Sequence, residues 1–189
     1  MQMKKVYRNV VRTKKMIRQA FTDLLEEKKD LEKISVSELA ERADLSKSTF
    51  YYHYEDIYAV AEEIERELID KLSEVLERIE VEQASEYDRY IKIIMDFLRE
   101  QEEMYRKVIC SSSPILFIEK LKFILSKKVF EESKVLPFSS DLSVRYVQIR
   151  FLTNACVDTM VDYFKGVLDL PLEQVSSIIL GVLDKLRET

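Results

Sequence analysis

Residues Ser35 to Tyr54 read SVSELAERADLSKSTFYYHY, and this stretch carries the start and stop signals of two short helices separated by a brief break. Ser35 can cap free backbone N–H groups, and Glu38, three residues later, completes a capping box. An apolar face at helical spacing follows, formed by Val36, Leu39, Ala40 and Ala43. The pattern predicts a first helix that ends near Asp44.

Ser46 opens a second predicted helix with two different faces. Phe50 and Tyr54, four residues apart, are expected to face the core. The other positions carry hydroxyls, one amine and aromatic rings: Lys47, Ser48, Thr49, Tyr51, Tyr52 and His53. Such side chains offer donors to phosphate oxygens and base edges, so the segment predicts a DNA-binding helix-turn-helix. The alternative is an ordinary helical hairpin whose tyrosines serve in packing.

The composition favours an all-α fold with a sizeable core. The chain has 189 residues, 47% of them apolar, with two glycines and three prolines. Apolar residues recur every three to four positions almost throughout, which is typical of helices. Because Cys110 and Cys156 lie far apart in apolar contexts, two reduced, buried thiols are favoured over a disulfide or a redox switch.

Charge is distributed unevenly along the chain. The net charge is −5, yet residues 1–58 hold 12 Lys/Arg against 10 Asp/Glu. The first 22 residues contain seven basic side chains and no acid. Such groups neutralise DNA phosphates, although a solvated basic tail is the simpler interpretation of Lys4 and Lys5.

Catalytic and metal-binding patterns are missing from the sequence. His53 is the single histidine, which excludes a multi-histidine metal site and a His-based relay away from the second helix. Both glycines lie in the last 24 residues, without a phosphate-binding motif. We therefore expect no enzyme activity, no cofactor and no metal. Without a membrane-spanning apolar run or a signal peptide, a soluble, cytoplasmic protein is expected.

Helical periodicity predicts about nine helices in two domains. Residues 1–55 are expected to form a basic arm and a three-helix DNA-binding domain, whose first helix spans about 11–28. Residues 56–189 are expected to form a helical ligand-binding and dimerisation domain. Its predicted helices begin after Glu55, at Ser85, at Ser113-Pro114, at Val144 and at Pro171, and a shorter helix that contains Met104 follows the one from Ser85. The absence of a Gly/Ser-rich linker predicts mechanical coupling between the two domains.

The residues from Ser35 to Ile57 resemble the tetracycline-repressor (TetR) family of bacterial transcription regulators. The resemblance is specific over residues 11–60 and looser beyond, and two positions depart from the family pattern. Asp44 stands where glycine is usual, at a turn that can need positive φ, which Asp tolerates better than most residues. Ile57 stands where lysine is common, so one expected phosphate contact lacks its side chain.

The resemblance also implies roles for individual side chains. Lys47 and Tyr52 are expected to contact bases or the groove. Phosphate contacts are expected from Ser35, Ser37, Thr49, Tyr51 and His53. The remaining expected DNA-binding residues are Ser46, Ser48, Arg12 and Lys14.

In TetR-like proteins the last two helices of each subunit pair with those of a second subunit. We expect the same of residues 144–165 and 172–187, with coverage inside the monomer as the alternative. The expected interface residues are Phe151, Ala155, Val175, Ile178, Ile179, Val182 and Leu186. Aromatic residues that either line an effector pocket or simply form the core are Tyr90, Phe97, Tyr105, Phe117, Phe123, Tyr146 and Phe151.

These features together predict a dimeric repressor that binds double-stranded DNA at a palindromic operator and is released by a small-molecule effector. Residues 97–109 also resemble a TetR subgroup related to dihydroxyacetone kinase regulators. Two other functions stay open at this point: an activator or co-regulator that responds to a partner protein, and a helical interaction module without DNA binding.

Overall fold

The computed structural model describes residues 2–79, 87–110, 115–131 and 138–187, with side chains from residue 8 onward except at 87, 88, 90, 115, 186 and 187. Within these ranges the chain forms nine α-helices and a short 3-10 helix at Leu31–Lys33. The α-helices are α1 (Gln2–Lys28), α2 (Val36–Arg42), α3 (Lys47–His53), α4 (Ile57–Glu77), α5 (Tyr87–Glu100), α6 (Glu102–Ile109), α7 (Ile115–Glu131), α8 (Leu142–Phe164) and α9 (Leu172–Arg187). The predicted all-α fold is confirmed.

Helix α1 is longer than its apolar pattern predicts. Its apolar face buries Ile17, Phe21 and Leu24, as expected. The helix nevertheless begins at Gln2 instead of near residue 11, because the basic segment before residue 11 contains neither glycine nor proline and so carries no helix-breaking residue. It ends where Lys29 adopts a φ of 55° and donates its N–H to the carbonyl of Leu25 at 2.9 Å.

Residues up to Leu68 form one compact unit, built from α1, α2, α3 and the first part of α4. Its core contains Phe21, Leu39, Phe50 and Val60, each 1% exposed or less. These side chains come from four different helices, so the unit has its own hydrophobic centre. The short helices α2 and α3 are therefore held by packing, since helices of seven residues are not stable alone.

A second compact unit begins at Ile69 and contains α5 to α9. Helix α8 packs against α6, α7 and α9. Asp141 caps its start by accepting the N–H groups of Ser143 at 2.8 Å and Val144 at 3.0 Å. The helix ends before Gly166, whose φ of 72° favours glycine. The predicted start signals Ser85 and Ser113-Pro114 lie outside the described residues.

Helix α4 contains the division between the two compact units, which falls after Leu68. Among the described helices, none combines the length and the hydropathy needed to cross a bilayer.

Candidate DNA-binding helix and interior cavity

The two serine caps of the helix-turn-helix segment form as the sequence predicts, whereas the Glu38 carboxylate, expected to complete a capping box, pairs with Lys28. The Ser35 hydroxyl oxygen accepts the backbone N–H of Glu38 at 3.2 Å, and that of Ser46 accepts the N–H of Thr49 at 3.1 Å. Each cap satisfies a donor that the helix itself leaves free. Ser46 Oγ also lies 2.8 Å from both Ser48 Oγ and Thr49 Oγ1, which ties the three hydroxyls together at the start of α3.

The turn between α2 and α3 passes through a left-handed residue. Asp44 has a φ of 55°, the conformation expected for a position where TetR-like proteins usually carry glycine. Next to it, the N–H of Leu45 donates to the carbonyl of Ala40 at 2.8 Å. This turn sets the direction in which α3 leaves α2.

Helix α3 has one buried and one exposed face. Phe50 is fully buried and Tyr54 is 5% exposed, whereas Tyr51 is 57% and Tyr52 75% exposed. Lys47 and Ser48 are also exposed, and Thr49 and His53 are half-buried. Tyr51 and Tyr52 are neighbours, so together they form a contiguous exposed aromatic patch, a feature that can mark a binding surface. The exposed face therefore presents hydroxyls, an amine and two phenol rings to the exterior of its unit.

The environment of His53 favours a neutral imidazole. Burial lowers the pKa of His53, and the positive charge of Lys14 lowers it further. Its ring also packs edge-on against Tyr52, with centroids 5.0 Å apart. At neutral pH His53 can therefore donate one hydrogen bond but brings no charge to a phosphate.

Among the basic side chains of α1, Lys14 and Arg18 form ion pairs with α4, and Lys28 forms one with Glu38 of α2. Lys14 Nζ lies 2.6 Å from Glu63 Oε2 and 4.8 Å from the centre of the Tyr54 ring. One turn later, Arg18 pairs with Glu67. Arg12 is exposed. Two residues of this helix were expected to contact DNA. Arg12 is exposed and accessible for such a contact, whereas Lys14 links α1 to α4.

Ile57, where TetR-like proteins commonly carry lysine, is 8% exposed and belongs to the core. The start of α4 is capped by Asp56, whose carboxylate accepts the N–H of Ala59 at 2.8 Å. Ser35 and Ser37 are both exposed at the beginning of α2. Any phosphate contact in this region would therefore come from hydroxyl and backbone groups instead of a side chain at position 57.

The second unit contains a cavity of about 110 Å³. Of the seven aromatic residues expected near a ligand, only Tyr105 lines it among the described side chains. Phe97 and Phe117 are buried beside Tyr105, with ring centroids 6.4 and 5.9 Å from its ring. Phe123, Tyr146 and Phe151 lie on exposed faces of α7 and α8. The side chain of Tyr90 lies outside the described residues.

The cavity wall consists mostly of aliphatic side chains that the sequence does not distinguish from core residues. Thr153, Cys156 and Val157 of α8 contribute to it, together with Leu98 of α5 and Leu121 of α7. One signal was available in the sequence: a threonine and a cysteine within a single turn of an otherwise apolar face. Burial raises the pKa of the Cys156 thiol, which makes it an unreactive lining group.

The predicted interface residues fall into two groups. Phe151 and Ala155 on α8, and Ile178 and Val182 on α9, are exposed. Val175 is buried, and Ile179 is half-buried and lines the cavity. The side chain of Leu186 lies outside the described residues. Within the monomer, the outer faces of α8 and α9 are thus left uncovered at these four positions.

Glu102, Arg106 and Tyr163 form a polar cluster that the sequence interpretation did not find. Arg106 donates to the carbonyl of Phe164 at 2.7 Å and pairs with Glu102 at 2.9 Å. The Tyr163 hydroxyl donates to the same carboxylate at 2.7 Å. These bonds fasten α6 to the last turn of α8, and the hydrogen bonds from Tyr163 and Arg106 lower the pKa of Glu102.

Comparison with known proteins finds a family match over part of the chain. A family model described as bacterial regulatory proteins, tetR family, matches residues 25–64, which include α2, α3 and the start of α4. The resemblance to the TetR family is thus found in the helix-turn-helix segment, which is a minor part of the chain. The match supports a transcription regulator with a helix-turn-helix DNA-binding segment, a class of proteins that are not enzymes.

A similar sequence supports the same N-terminal assignment. The uncharacterized HTH-type transcriptional regulator YxbF of Bacillus subtilis (strain 168) is 39% identical over 51 residues. The matched segment is 27% of this chain and 13% of YxbF, so the likeness is confined to one part of each protein.

Solved structures of TetR-type proteins resemble this one over nearly the whole chain. The dihydroxyacetone kinase operon activator DhaS has a TM-score of 0.65 at 18% identity, over 93% of this chain and 96% of its own. A TetR transcriptional regulator from Streptococcus agalactiae 2603V scores 0.67 at 21% identity, over 97% and 99%. FadR from Thermus thermophilus, solved with lauroyl-CoA, scores 0.57 at 16% identity, over 90% and 92%. At these identities the resemblance concerns the TetR fold.

Proposed function

We propose that this TetR-like protein is a repressor that binds a palindromic operator as a dimer and leaves it when an effector occupies the C-terminal cavity. The two-faced helix α3 carries this proposal. Its packing residue Phe50 is fully buried, while Tyr51 and Tyr52 extend into solvent. A helix held in this way can enter a major groove without losing core contacts.

The proposed contacts follow the two ends of the helix-turn-helix. Lys47 and Tyr52 on α3 would reach base edges or the groove wall. Hydroxyls at the starts of α2 and α3 would bind phosphates, together with Tyr51, His53 and Arg12. Lys14 would join them only by leaving Glu63, with which it forms an ion pair in the free protein.

The proposed dimer is supported by exposed apolar side chains on α8 and α9. Phe151 is 72% exposed on α8, and Ile178 and Val182 are about half exposed on α9. Covering these side chains against a second copy would remove apolar area from water at roughly 25 cal/mol per Å². Two copies would then present their α3 helices to half-sites about 34–36 Å apart, or a multiple of that distance.

The proposed response to an effector uses helix α4. We assign DNA binding to residues 1–55 and effector binding and dimerisation to residues 56–189. Helix α4 belongs to both compact units and also contributes Leu72 to the cavity wall. An effector can shift the protein only by the difference in its affinity for the two states. We place this regulator in the cytoplasm, where its DNA would be.

An electrophoretic mobility shift experiment tests the proposal. The DNA is the region upstream of the gene for this chain, and the control is a scrambled fragment of equal length and composition. We expect a complex that prefers the upstream fragment and weakens steeply as salt rises. A dimer predicts that splitting the palindrome into single half-sites abolishes most of the affinity. Absence of any salt-sensitive, sequence-preferring complex would favour an interaction module without DNA binding.

Activation is the second candidate, because DhaS, with the same fold, is described as an operon activator. A transcriptional reporter driven by the bound promoter distinguishes repression from activation. If the protein is a repressor, deletion of its gene raises reporter output; if it is an activator, deletion lowers reporter output. Control by a partner protein predicts that the DNA complex of the purified chain is insensitive to small molecules and changes when that partner is added.

A further inference from the structure

The cavity of the second unit has a chemically uniform wall. Its lining, taken over the residues that the structure describes, contains no Asp, Glu, Lys, Arg or His. Its polar side chains are the hydroxyls of Tyr105 and Thr153 and the thiol of Cys156. Because an ion buried without a counter-charge is strongly disfavoured, this wall selects against a carboxylate, a phosphate or an ammonium group.

Tyr105 is held rigidly at this cavity. The side chain is 0% exposed, and its ring stacks on Phe164 with centroids 5.7 Å apart. Phe97 and Phe117 pack against the same ring. Aromatic neighbours on several sides fix the position of the phenol group, so its oxygen cannot turn to solvent.

The Tyr105 hydroxyl has no hydrogen-bond partner among the described residues. A buried polar group without a partner is destabilising, and few such groups persist in native proteins. Burial raises the pKa of Tyr105, so the group stays protonated and can both donate and accept. An oxygen atom brought in by a ligand would satisfy it.

The size of the cavity sets the size of this ligand. A dry, engineered cavity of about 150 Å³ holds benzene in a well-studied case. The present cavity, at about 110 Å³, is of the same order. It therefore matches a single ring or a short branched chain better than a long acyl group.

We propose that the cavity binds a neutral, largely apolar molecule about the size of one aromatic ring, whose single oxygen exchanges a hydrogen bond with the Tyr105 hydroxyl. This ligand would occupy the effector site of the proposed function, and its role in regulation rests on that function. Tyr105 is then the residue that determines specificity for a polar atom, and the aliphatic wall supplies the affinity.

Calorimetric titration of the full chain with phenol, toluene and benzoate tests the chemistry of the site. The three probes share a ring and differ in their polar group. We expect phenol to bind about five-fold more tightly than toluene, the ratio that one net hydrogen bond gives. Benzoate should show no binding at the same concentrations. Equal binding of benzoate and phenol, or binding of none of the three, overturns the proposal.

Two variants locate the site. Tyr105→Phe keeps the ring and should remove the preference for phenol while leaving toluene affinity within two-fold. Cys156→Leu fills the cavity and should abolish binding of both probes. Tyr146→Phe, at an exposed tyrosine of the same unit, is the matched control and should change neither. A phenol preference that survives Tyr105→Phe would contradict the assignment of Tyr105.

The same probes separate this inference from the proposed function. If phenol binds with the expected selectivity but leaves the DNA complex intact, the cavity assignment stands and release by an effector at this site is wrong. If the protein binds its DNA but none of the probes, DNA binding stands and the ligand class is wrong.

Discussion

Lys14 and Glu63 form an ion pair in which the amine lies 2.6 Å from the carboxylate, joining the helix that carries the basic arm to the start of α4. The side chains are 34% and 21% exposed, so solvent screening limits the contribution of this pair to about 1 kcal/mol or less. A DNA phosphate that uses Lys14 must compete with Glu63.

Glu63→Gln should therefore strengthen DNA binding while destabilising the fold only slightly. With its partner neutral, Lys14 can release one more counterion on binding. The slope of log K against log salt should steepen by roughly 0.9 for B-DNA. Filter binding between 50 and 200 mM salt measures this slope. Glu62→Gln, at an exposed neighbour on the same helix, is the control for net charge. If both variants change the slope equally, Lys14 is not the group released.

Substitutions at Asp44 separate backbone conformation from charge. Asp44→Ala places a residue poorly suited to a φ of 55° in the turn and should destabilise the protein by about 1 kcal/mol. Asp44→Asn and Asp44→Gly tolerate this conformation, and should stay within about 0.5 kcal/mol of the parent. Urea denaturation measures all three. Since Asn and Gly both remove a negative charge next to α3, both should also bind DNA more tightly. An alanine variant as stable as the asparagine variant would argue against strain in this turn.

The two exposed tyrosines of α3 should respond differently to loss of the hydroxyl group. Tyr51→Phe should weaken binding to every DNA sequence similarly, by about 0.5 to 3 kcal/mol for a lost hydrogen bond to a phosphate. Tyr52→Phe should change the ranking of operator variants if its hydroxyl reads a base. Both variants should retain the parent stability, because both rings are more than half exposed. Competition binding with single-base operator variants distinguishes the roles, and a changed base preference in Tyr51→Phe would refute its phosphate role.

The proposed dimer predicts a charge-sensitive patch on α8. Phe151→Glu should shift the protein from dimer to monomer, because an unpaired carboxylate would be buried in the interface. Sedimentation velocity gives the molecular mass directly. Val167→Glu is the matched control, since Val167 is 67% exposed but lies after the end of α8. A dimer that survives Phe151→Glu would place the interface elsewhere.

Glu102 links stability to pH. Its pKa is lowered mainly by the hydrogen bond from Tyr163 and then by that from Arg106. A carboxyl group whose pKa is lower in the folded state contributes its full stabilisation at pH values above its pKa in the unfolded state, which is about 4.3. This contribution is lost as the pH falls through the pKa of the folded state. Glu102→Gln should therefore flatten the fall in stability below about pH 5.

Tyr163→Phe should also reduce the loss of stability at acid pH, but by less than Glu102→Gln, because Arg106 still pairs with Glu102. Urea denaturation from pH 3 to 7 measures both variants, and Tyr146→Phe serves as control. The effect of the double variant should be smaller than the sum of the single effects, since both act on one carboxylate. Additive effects would show that Tyr163 acts on stability by another route.

The sequence predicted the starts of α2 and α3 well, because a serine side chain sets each boundary, but it placed the start of α8 at Val144 and missed the cap at Asp141. Ser35 and Ser46 accept hydrogen bonds from N–H groups of their own helices, so the start of each helix is predictable from the local sequence. Lys29 was not foreseen at positive φ, because lysine carries no preference for that conformation. The early start of α1 was missed for a related reason: an apolar pattern marks which part of a helix is buried, and not how far the helix extends.

Which aromatic residues surround a cavity could not be predicted. Periodicity places Phe123 and Phe151 on regular helical faces but does not say which face meets another helix, and both are exposed. Tyr105 was among the expected ligand residues, yet nothing in its sequence context separates it from Phe97. Among the described residues the Tyr105 hydroxyl has no hydrogen-bond partner, which follows from its packing against residues of three other helices and cannot be read from the local sequence.

The left-handed turn at Asp44 also limits how the gene can change. Aspartate codons are a single nucleotide away from codons for asparagine and glycine, the two residues that accept this backbone most readily. They are equally close to codons for alanine and valine, which do not. A single-nucleotide change at this codon can therefore give either a residue that accepts the left-handed conformation or one that is strained in it. Mutation at residue 44 can thus change the strength of DNA binding without altering any residue of α3.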